Sequence, residues 1–225
     1  MSRTVVVTGG KRGIGAAICE AFAGENVVPL SSADLDVTDE AAVARVLGEL
    51  EVDVLVNNAG VSFSAPLHRT SLEAWERQLA VNATGAFLCT RAVLPGMLER
   101  DPGRIVTVAS VASHVGARYV SGYAASKHAV LGLTRAVAAE VGGTGVTCNA
   151  VCPAYVRSDM TETTIANIQA RTGRDDGEQA LAKMTPLGRL IESSEVAFAV
   201  RFFASDEAGA INGQSLIIDG GGVQQ

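Results

Sequence analysis

The sequence predicts an α/β fold, a parallel sheet doubly wound with helices on both of its faces. Three observations carry that prediction. Short segments apolar at every position alternate with longer segments of helical periodicity. Glycines fall where a strand gives way to a helix. No linker and no internal repeat divides the 225 residues, so they read as one domain.

The elements follow in order along the chain. Val5–Val7 reads as a strand and Gly13–Ala23 as a helix. Val27–Leu30 and Val52–Val56 read as strands, with a helix near Glu40–Leu50 between them. The stretch from Leu72 to Leu98 reads as helical, opened by Thr70 and Glu73 at capping-box spacing and kinked or ended by Pro95. Ile105–Ala109 is a further strand. Tyr123–Val141 is a helix whose Val130, Leu133, Val137 and Val141 form one apolar stripe. Val146–Val151 and Leu216–Ile218 complete the strands. From Pro153 to Gly188 the chain is polar and mixed, with Thr161–Ala170 as a short helix. A stretch that long inside a compact domain suggests a functional lid, placed at about 154–188.

Composition narrows the class. Hydrophobic residues make up 48% and charged residues 19%, which favours a packed fold over disorder. Aromatics are only 4%, so Ala, Val, Leu and Ile must build the core. A net charge of −6 gives no reason to expect nucleic acid or an anionic membrane surface. No apolar run has the length of a membrane span, and Met1-Ser2-Arg3 leads straight into the first strand without a signal-type apolar segment. Cys19, Cys89, Cys148 and Cys152 have no CxxC spacing and read as reduced thiols of a cytoplasmic protein, with no metal site.

The loop Thr8-Gly9-Gly10-Lys11-Arg12-Gly13-Ile14-Gly15 joins the first strand to the first helix. Glycine permits a sharp turn and close approach of a ligand. The helix behind it offers free N–H groups and a positive dipole end to a pyrophosphate. The spacing is G-x-x-x-G-x-G, so the loop alone is also compatible with a plain tight turn. Nucleotide choice rests on the residues after Leu30. No acid stands directly at the strand end, and Arg12 is available to a 2′-phosphate, which favours NADP(H); Asp34 nearby argues for NAD(H).

Tyr123-Ala124-Ala125-Ser126-Lys127 puts a phenol and an ammonium four residues apart on one helical face. A cation beside a phenol stabilises the phenolate and lowers its pKa, which makes the tyrosine a usable acid or base. The pair by itself is common by chance. It gains meaning from its company: the glycine loop, Asn57-Asn58-Ala59-Gly60 after a strand, Ser110 after a strand and 13 residues before Tyr123, Asn82 in the helix ahead of it, and the tail Asn212-Gly213-Gln214…Asp219-Gly220-Gly221.

In these features, which span nearly the whole chain, the sequence resembles the classical subgroup of the short-chain dehydrogenase/reductase family. The resemblance implies a single Rossmann-type domain over residues 1–225 with about seven strands, and an NAD(P)-dependent oxidoreductase that interconverts a secondary alcohol and a ketone. It implies that Tyr123 is the general acid/base, that Lys127 lowers its pKa and holds the nicotinamide ribose, that Ser110 hydrogen-bonds the substrate oxygen, and that Asn82 holds a water of a proton relay. On the cofactor side it implies Gly9, Arg12, Gly13, Ile14 and Gly15 at the phosphates. Asn58, Ala59 and Gly60 would line the adenosine side, with Asp36 and Val37 near the adenine. Pro153, Val156 and Ser158 would stand at the nicotinamide amide.

Two positions depart from the family pattern. Ala154 follows Pro153 where the family usually has glycine, and would be strained if the backbone there needs a positive φ. The chain between Leu30 and Asp36 is too short for the helix most relatives carry, which should leave the adenine end open.

Substrate identity is weakly encoded. Tyr155, Met160 and Met184 of the lid would form one wall, and Ser110, Val111 and His114 another, with His114 reaching a polar group or simply satisfied within the fold. The lid resembles those of enzymes acting on 3-oxoacyl or 3-hydroxyacyl compounds. The short segment after Leu30 and the run from Ile105 to His114 resemble dihydroxybenzoate-forming dehydrogenases, which gives a cyclic alcohol or dihydrodiol as the alternative. The surface around Asp101 and Gly142–Gly145 offers little basic charge for docking an acyl carrier protein. A non-catalytic nucleotide sensor is the reading of another class, and retention of all four catalytic residue types argues against it. The family's habit of assembly, together with Ala129 and Gly132 on the Tyr123–Val141 helix, leads us to expect a homotetramer or homodimer.

Overall fold

The structure is a computed structural model and describes residues 2–173 and 175–224. Met1, Gln225 and Arg174, the last within the expected lid, lie outside the described residues.

Six strands form one sheet, all parallel, in the order β2-β1-β3-β4-β5-β6. They are β1 Thr4–Thr8, β2 Asn26–Leu30, β3 Val54–Asn57, β4 Gly103–Val108, β5 Val146–Pro153 and β6 Ser215–Ile218. The helices are α1 Gly13–Ala21, α2 Glu40–Gly48, α3 Leu72–Leu79, α4 Gly85–Arg100, α5 Ser121–Glu140, α6 Asp159–Thr172, α7 Gly177–Ala182 and α8 Ser193–Phe203.

The strands are apolar on both faces because both faces are covered. Side chains alternate along a strand, and here the alternation sorts them into two layers. Val6, Leu55, Ile105 and Cys148 point to one side, against Val43 and Leu47 of α2 and Leu88, Val93 and Met97 of α4. Val5, Val7, Val54, Val56, Val106 and Val151 point to the other, against Ile18 and Phe22 after β1 and Val196, Val200 and Phe203 of α8. Burying each such side chain contributes roughly 1.5–3 kcal/mol. Val130, Val137 and Val141 of the expected α5 stripe are buried.

The sheet has six described strands where about seven were expected. The reason lies after β2. Residues 31–39 form no strand or helix; Asp34 accepts from the Ser31 backbone N–H at 2.8 Å and Asp39 caps α2 through Ala42 N–H. The chain therefore passes directly from β2 to α2, and β2 is left as the sheet edge, with Pro29 in it.

Other expectations are corrected in detail. The cap of α3 is Ser71, accepting from Ala74 N–H at 3.1 Å, and not Thr70. Pro95 lies inside α4, which continues to Arg100. Helices α7 and α8 were not anticipated, and α6 is longer than the short helix expected at Thr161–Ala170. Between α3 and α4, Ala80–Thr84 is a π-helical turn. Such turns recur at functional sites, because the inserted residue re-aims its neighbours.

Among the described residues no helix is long and apolar enough to cross a membrane.

Candidate active site

A cleft of about 580 Å³ opens where β1, β3, β4 and β5 end. The chain order reverses between β1 and β3 there, the place where open α/β sheets bind ligands.

One half of the cleft is the glycine loop. Gly9 and Gly13 have φ of 66° and 51°, in the left-handed region that glycine adopts without strain. Gly15 is required for space, since a Cβ there would overlap the Gly9 carbonyl oxygen and stand 2.7 Å from Asn58 Nδ2. The loop is fastened to β3 from below. Asn58 Nδ2 donates to the carbonyls of Thr8 and Gly9 at 2.9 and 3.1 Å, and the buried Thr8 hydroxyl accepts from the N–H groups of Asn58 and Ala59. The start of α1 carries no acidic side chain in its first turn and no side-chain cap. Arg12, Gly13, Ile14 and Gly15 at this start line the cleft, and the N–H groups that a helix leaves free in its first turn make such a place fit for a pyrophosphate.

The other half is a cluster of hydroxyls and one ammonium. Ser110 follows β4 and opens a 3-10 turn; its Oγ accepts from Ala112 N–H at 3.1 Å and lines the cleft together with Tyr123, close enough to act on the ionisation of that phenol. Tyr123 and Lys127 both rise from α5 into the cleft. Lys127 is 5% exposed; its Nζ donates to the Val108 carbonyl at 2.8 Å and stands 5.7 Å from the centre of the Tyr123 ring. Burial pushes the Tyr123 phenol above the ordinary tyrosine value, with the nearby Ser110 opposing it, and burial pushes Lys127 down to about 8, with the neighbouring Cys152 opposing that. In the protein by itself, the phenol is therefore shifted by burial in the direction opposite to the one expected from the cation.

Asn82 lies within the π-helical turn, 2% exposed and just behind the cleft wall. Both N–H groups of its amide are in use, toward the Val61 carbonyl at 2.9 Å and Ser126 Oγ at 2.8 Å, and its Oδ1 accepts from Val61 N–H at 2.8 Å. Its side chain therefore joins the segment after β3 to the helix of Tyr123.

The structure brings Gly9, Arg12, Gly13, Ile14, Gly15, Asn58, Ala59, Gly60, Ser110, Tyr123, Lys127, Pro153, Val156 and Ser158 to one cleft. It does not bring Asp36, Val37, His114 or Tyr155 to its wall. Asp36 is exposed and accepts from the N–H and hydroxyl of Thr38; Val37 is buried against Gly85. His114 ends the 3-10 turn after Ser110. Tyr155 is half-buried near Tyr123, close enough to oppose ionisation of that phenol. Met160 lines the cleft, whereas Met184 is 63% exposed and does not. Ala154 has no positive φ and donates its N–H to Ile218, so alanine sits there without strain.

Several lining residues were not foreseen. Ser62 and Ser64 follow Gly60, and Thr161, Thr163 and Thr164 come from α6. Asp159 stands 3.8 Å from Arg12, so the expected lid touches the glycine loop. Tyr119 lines the cleft with a φ of 70°, a conformation costing a non-glycine residue on the order of 1–3 kcal/mol. At the end of β2, Lys11 pairs with Asp34 at 2.8 Å.

Comparison with known proteins agrees with this arrangement. A family model described as enoyl-(acyl carrier protein) reductase matches residues 25–222. The chain is 36% identical to an acetoacetyl-CoA reductase of Rhizobium meliloti (strain 1021) over 245 aligned residues, covering 98% of each chain. It is 34% identical to a 3-oxoacyl-[acyl-carrier-protein] reductase of Escherichia coli (strain K12), covering 97% of this chain and 96% of that one. A solved structure of a single-residue variant of actinorhodin polyketide ketoreductase with NADPH superimposes with a TM-score of 0.91 at 29% identity, covering 98% of this chain and 97% of the other.

Proposed function

The chain belongs to the short-chain dehydrogenase/reductase family, as an NAD(P)-dependent oxidoreductase of the secondary alcohol/ketone pair, and on that premise we propose that it reduces the ketone of a 3-oxoacyl thioester with NADPH. The observation that carries the reading is that Ser110, Tyr123 and Lys127 line the same cleft as the glycine cradle. The acetoacetyl-CoA and 3-oxoacyl relatives support the thioester over the cyclic-alcohol and nucleotide-sensor readings. NADPH in the polyketide ketoreductase and the exposed Arg12 on the glycine loop support NADP(H), with NAD(H) as the second choice.

The nicotinamide supplies the hydride. The chain's residues do the rest. Tyr123 gives its proton to the ketone oxygen as charge develops there, and Ser110 holds that oxygen by a hydrogen bond. The raised pKa of Tyr123 keeps the phenol protonated at neutral pH, the state a proton donor needs for reduction. Lys127 stands ready to stabilise the phenolate once the proton has left. Asn82 positions α5 through Ser126, whose hydroxyl donates to the Tyr123 carbonyl at 2.8 Å. The segment 154–188 serves as the lid, meeting the cofactor side through Val156 and Ser158. The buried thiols of Cys89, Cys148 and Cys152 suit a cytoplasmic setting. Exposed Ala129 and Gly132 on α5 suit close helix packing in a homodimer or homotetramer, which light scattering would measure.

Initial rates on a panel of 3-oxoacyl thioesters and cyclic dihydrodiols, with both nucleotides, test the reading. Turnover of dihydrodiols without any thioester would sink it. Tyr123→Phe should retain nucleotide binding while turnover falls by about 10²–10⁴-fold; unchanged turnover would refute the mechanism.

A further inference from the structure

Four residues before Tyr123, Tyr119 reaches the same cleft with 49% of its surface exposed. Its φ of 70° is one that a bulky side chain rarely adopts. The backbone gains nothing from tyrosine there. The Tyr119 carbonyl accepts from Ala65 N–H at 2.8 Å, and glycine would make that bond at this φ without strain. What glycine would lack is the ring.

The ring is held in its turn. The Arg118 guanidinium stands 5.2 Å from its centre and donates to its hydroxyl at 3.1 Å. Arg118 is exposed, and among the described residues it makes no ion pair with a carboxylate. A guanidinium carries five donors in a planar fork suited to phosphate, and among the described residues one hydrogen bond uses them. A chain of net charge −6 thus keeps, next to the cleft-lining Tyr119, a cation without a carboxylate partner among the described residues.

We propose that Arg118 and Tyr119 form a specificity site for the anionic carrier portion of the substrate. Arg118 pairs with a phosphate that remains outside the cleft, and the Tyr119 ring holds the guanidinium in place and narrows the entrance. The inference rests on the thioester reading, in which coenzyme A brings the phosphates.

The test compares acetoacetyl-coenzyme A with acetoacetyl-N-acetylcysteamine, which has the same reacting end and no phosphate, together with calorimetric titration of coenzyme A into the nucleotide-loaded enzyme. For Arg118→Gln, the ratio of kcat/KM between the charged and the neutral ester should fall about tenfold, with coenzyme A binding weakened in proportion. Added salt should lower the same ratio in the parent enzyme. Tyr119→Gly should lower the ratio in the same direction while its thermal midpoint stays at or above that of the parent. Arg45→Gln, an equal charge change on exposed α2, should leave the ratio unchanged.

An unchanged ratio in Arg118→Gln would overturn the proposal and leave the thioester reading intact. So would a Tyr119→Gly variant that is less stable yet keeps the ratio, since that result marks a purely structural residue. Turnover of neither ester would instead remove the thioester reading, while Arg118-dependent binding of coenzyme A would still uphold the anion site.

Discussion

Asn82 and Val61 pair as two strand residues would, the side-chain amide of one exchanging two hydrogen bonds with the backbone of the other at 2.8 and 2.9 Å. The third bond of the same amide, to Ser126, continues to the backbone carbonyl of Tyr123. The π-helical turn that carries Asn82 therefore ties the segment after β3 to the start of α5.

Asn82→Asp should break that tie without changing side-chain size. A carboxylate still accepts from Val61 N–H, but it has no hydrogen for the Val61 carbonyl or for Ser126. Leaving buried partners unsatisfied costs about 1–3 kcal/mol. Denaturant unfolding should show that loss, and turnover should fall with it as Tyr123 and Ser110 lose their mutual alignment. Stability equal to the parent would show that the amide does not carry the connection.

Lys127 makes a pH prediction for the cofactor-free protein. Its pKa falls from 10.5 to about 8 because burial disfavours the ammonium. Between those values the unfolded chain binds a proton that the folded chain has released, so this residue makes stability rise with pH across that window. Below about 8 the ammonium is charged in both states and its burial penalty is fully present. The buried thiols act the other way. Cys89 and Cys148 are pushed from 9.0 up to about 12 by burial, so their unfolded forms ionise first and lower stability above pH 9. Comparison with Lys127→Met cancels the thiols. The variant should be inactive yet relatively more stable at pH 7, and its advantage should shrink by about 3 kcal/mol between pH 8 and 10.5. A constant difference across that range would mean that Lys127 is not penalised by burial.

Gly15→Ala tests the cradle. The added Cβ meets the Gly9 carbonyl oxygen and Asn58 Nδ2, both part of the clamp on the loop, so the loop has to move. We expect a loss of about 1–3 kcal/mol in stability, with a rise in nucleotide Kd measured by fluorescence titration. Gly48→Ala is the control, because nothing lies within 4 Å of a Cβ there and the residue is helical. It should stabilise by about 0.4–1 kcal/mol. Equal nucleotide binding by Gly15→Ala and the parent would remove the loop from the site.

Much of this was legible because the signals are local. The inner strands are apolar on both faces, so their positions can be read from runs such as Val5-Val6-Val7 and Ile105-Val106. The glycine loop, Ser110, Tyr123 and Lys127 are marked by fixed spacings. What escaped depended on contacts between distant segments or on backbone angles. Helix α8 was missed because its N-cap position is held by Glu192, whose N–H donates to Glu195 at 2.8 Å, and not by the Ser, Thr, Asp or Asn usual there. The left-handed Tyr119 has no sequence signal, since tyrosine is the wrong residue for that φ. The direction of the Tyr123 shift depends on burial, which spacing alone does not reveal. Asp36 and Val37 were assigned to the adenine end through a family pattern whose supporting segment after β2 this chain lacks.

Arg12 and Asp159 bring the last prediction, and it has opposite signs for the two partners. Their side chains are 82% and 58% exposed and 3.8 Å apart, linking the glycine loop to the first residue of α6. A pair this exposed adds little to stability, so its removal should be silent in unfolding and visible in nucleotide binding. Arg12→Gln takes away the cation offered to a 2′-phosphate. It should raise the Kd for NADPH about tenfold more than that for NADH, which lacks the group. Asp159→Asn keeps Arg12 and removes its competitor, so NADPH should bind more tightly, and the gain should fade as salt screens the pair. Titrations of both variants with both nucleotides, at low and at physiological salt, decide the matter. If each variant shifts NADPH and NADH alike, Arg12 meets the pyrophosphate common to both, and the basis for NADP selectivity must be sought at Lys11, where Asp34 and Ser31 close the end of β2.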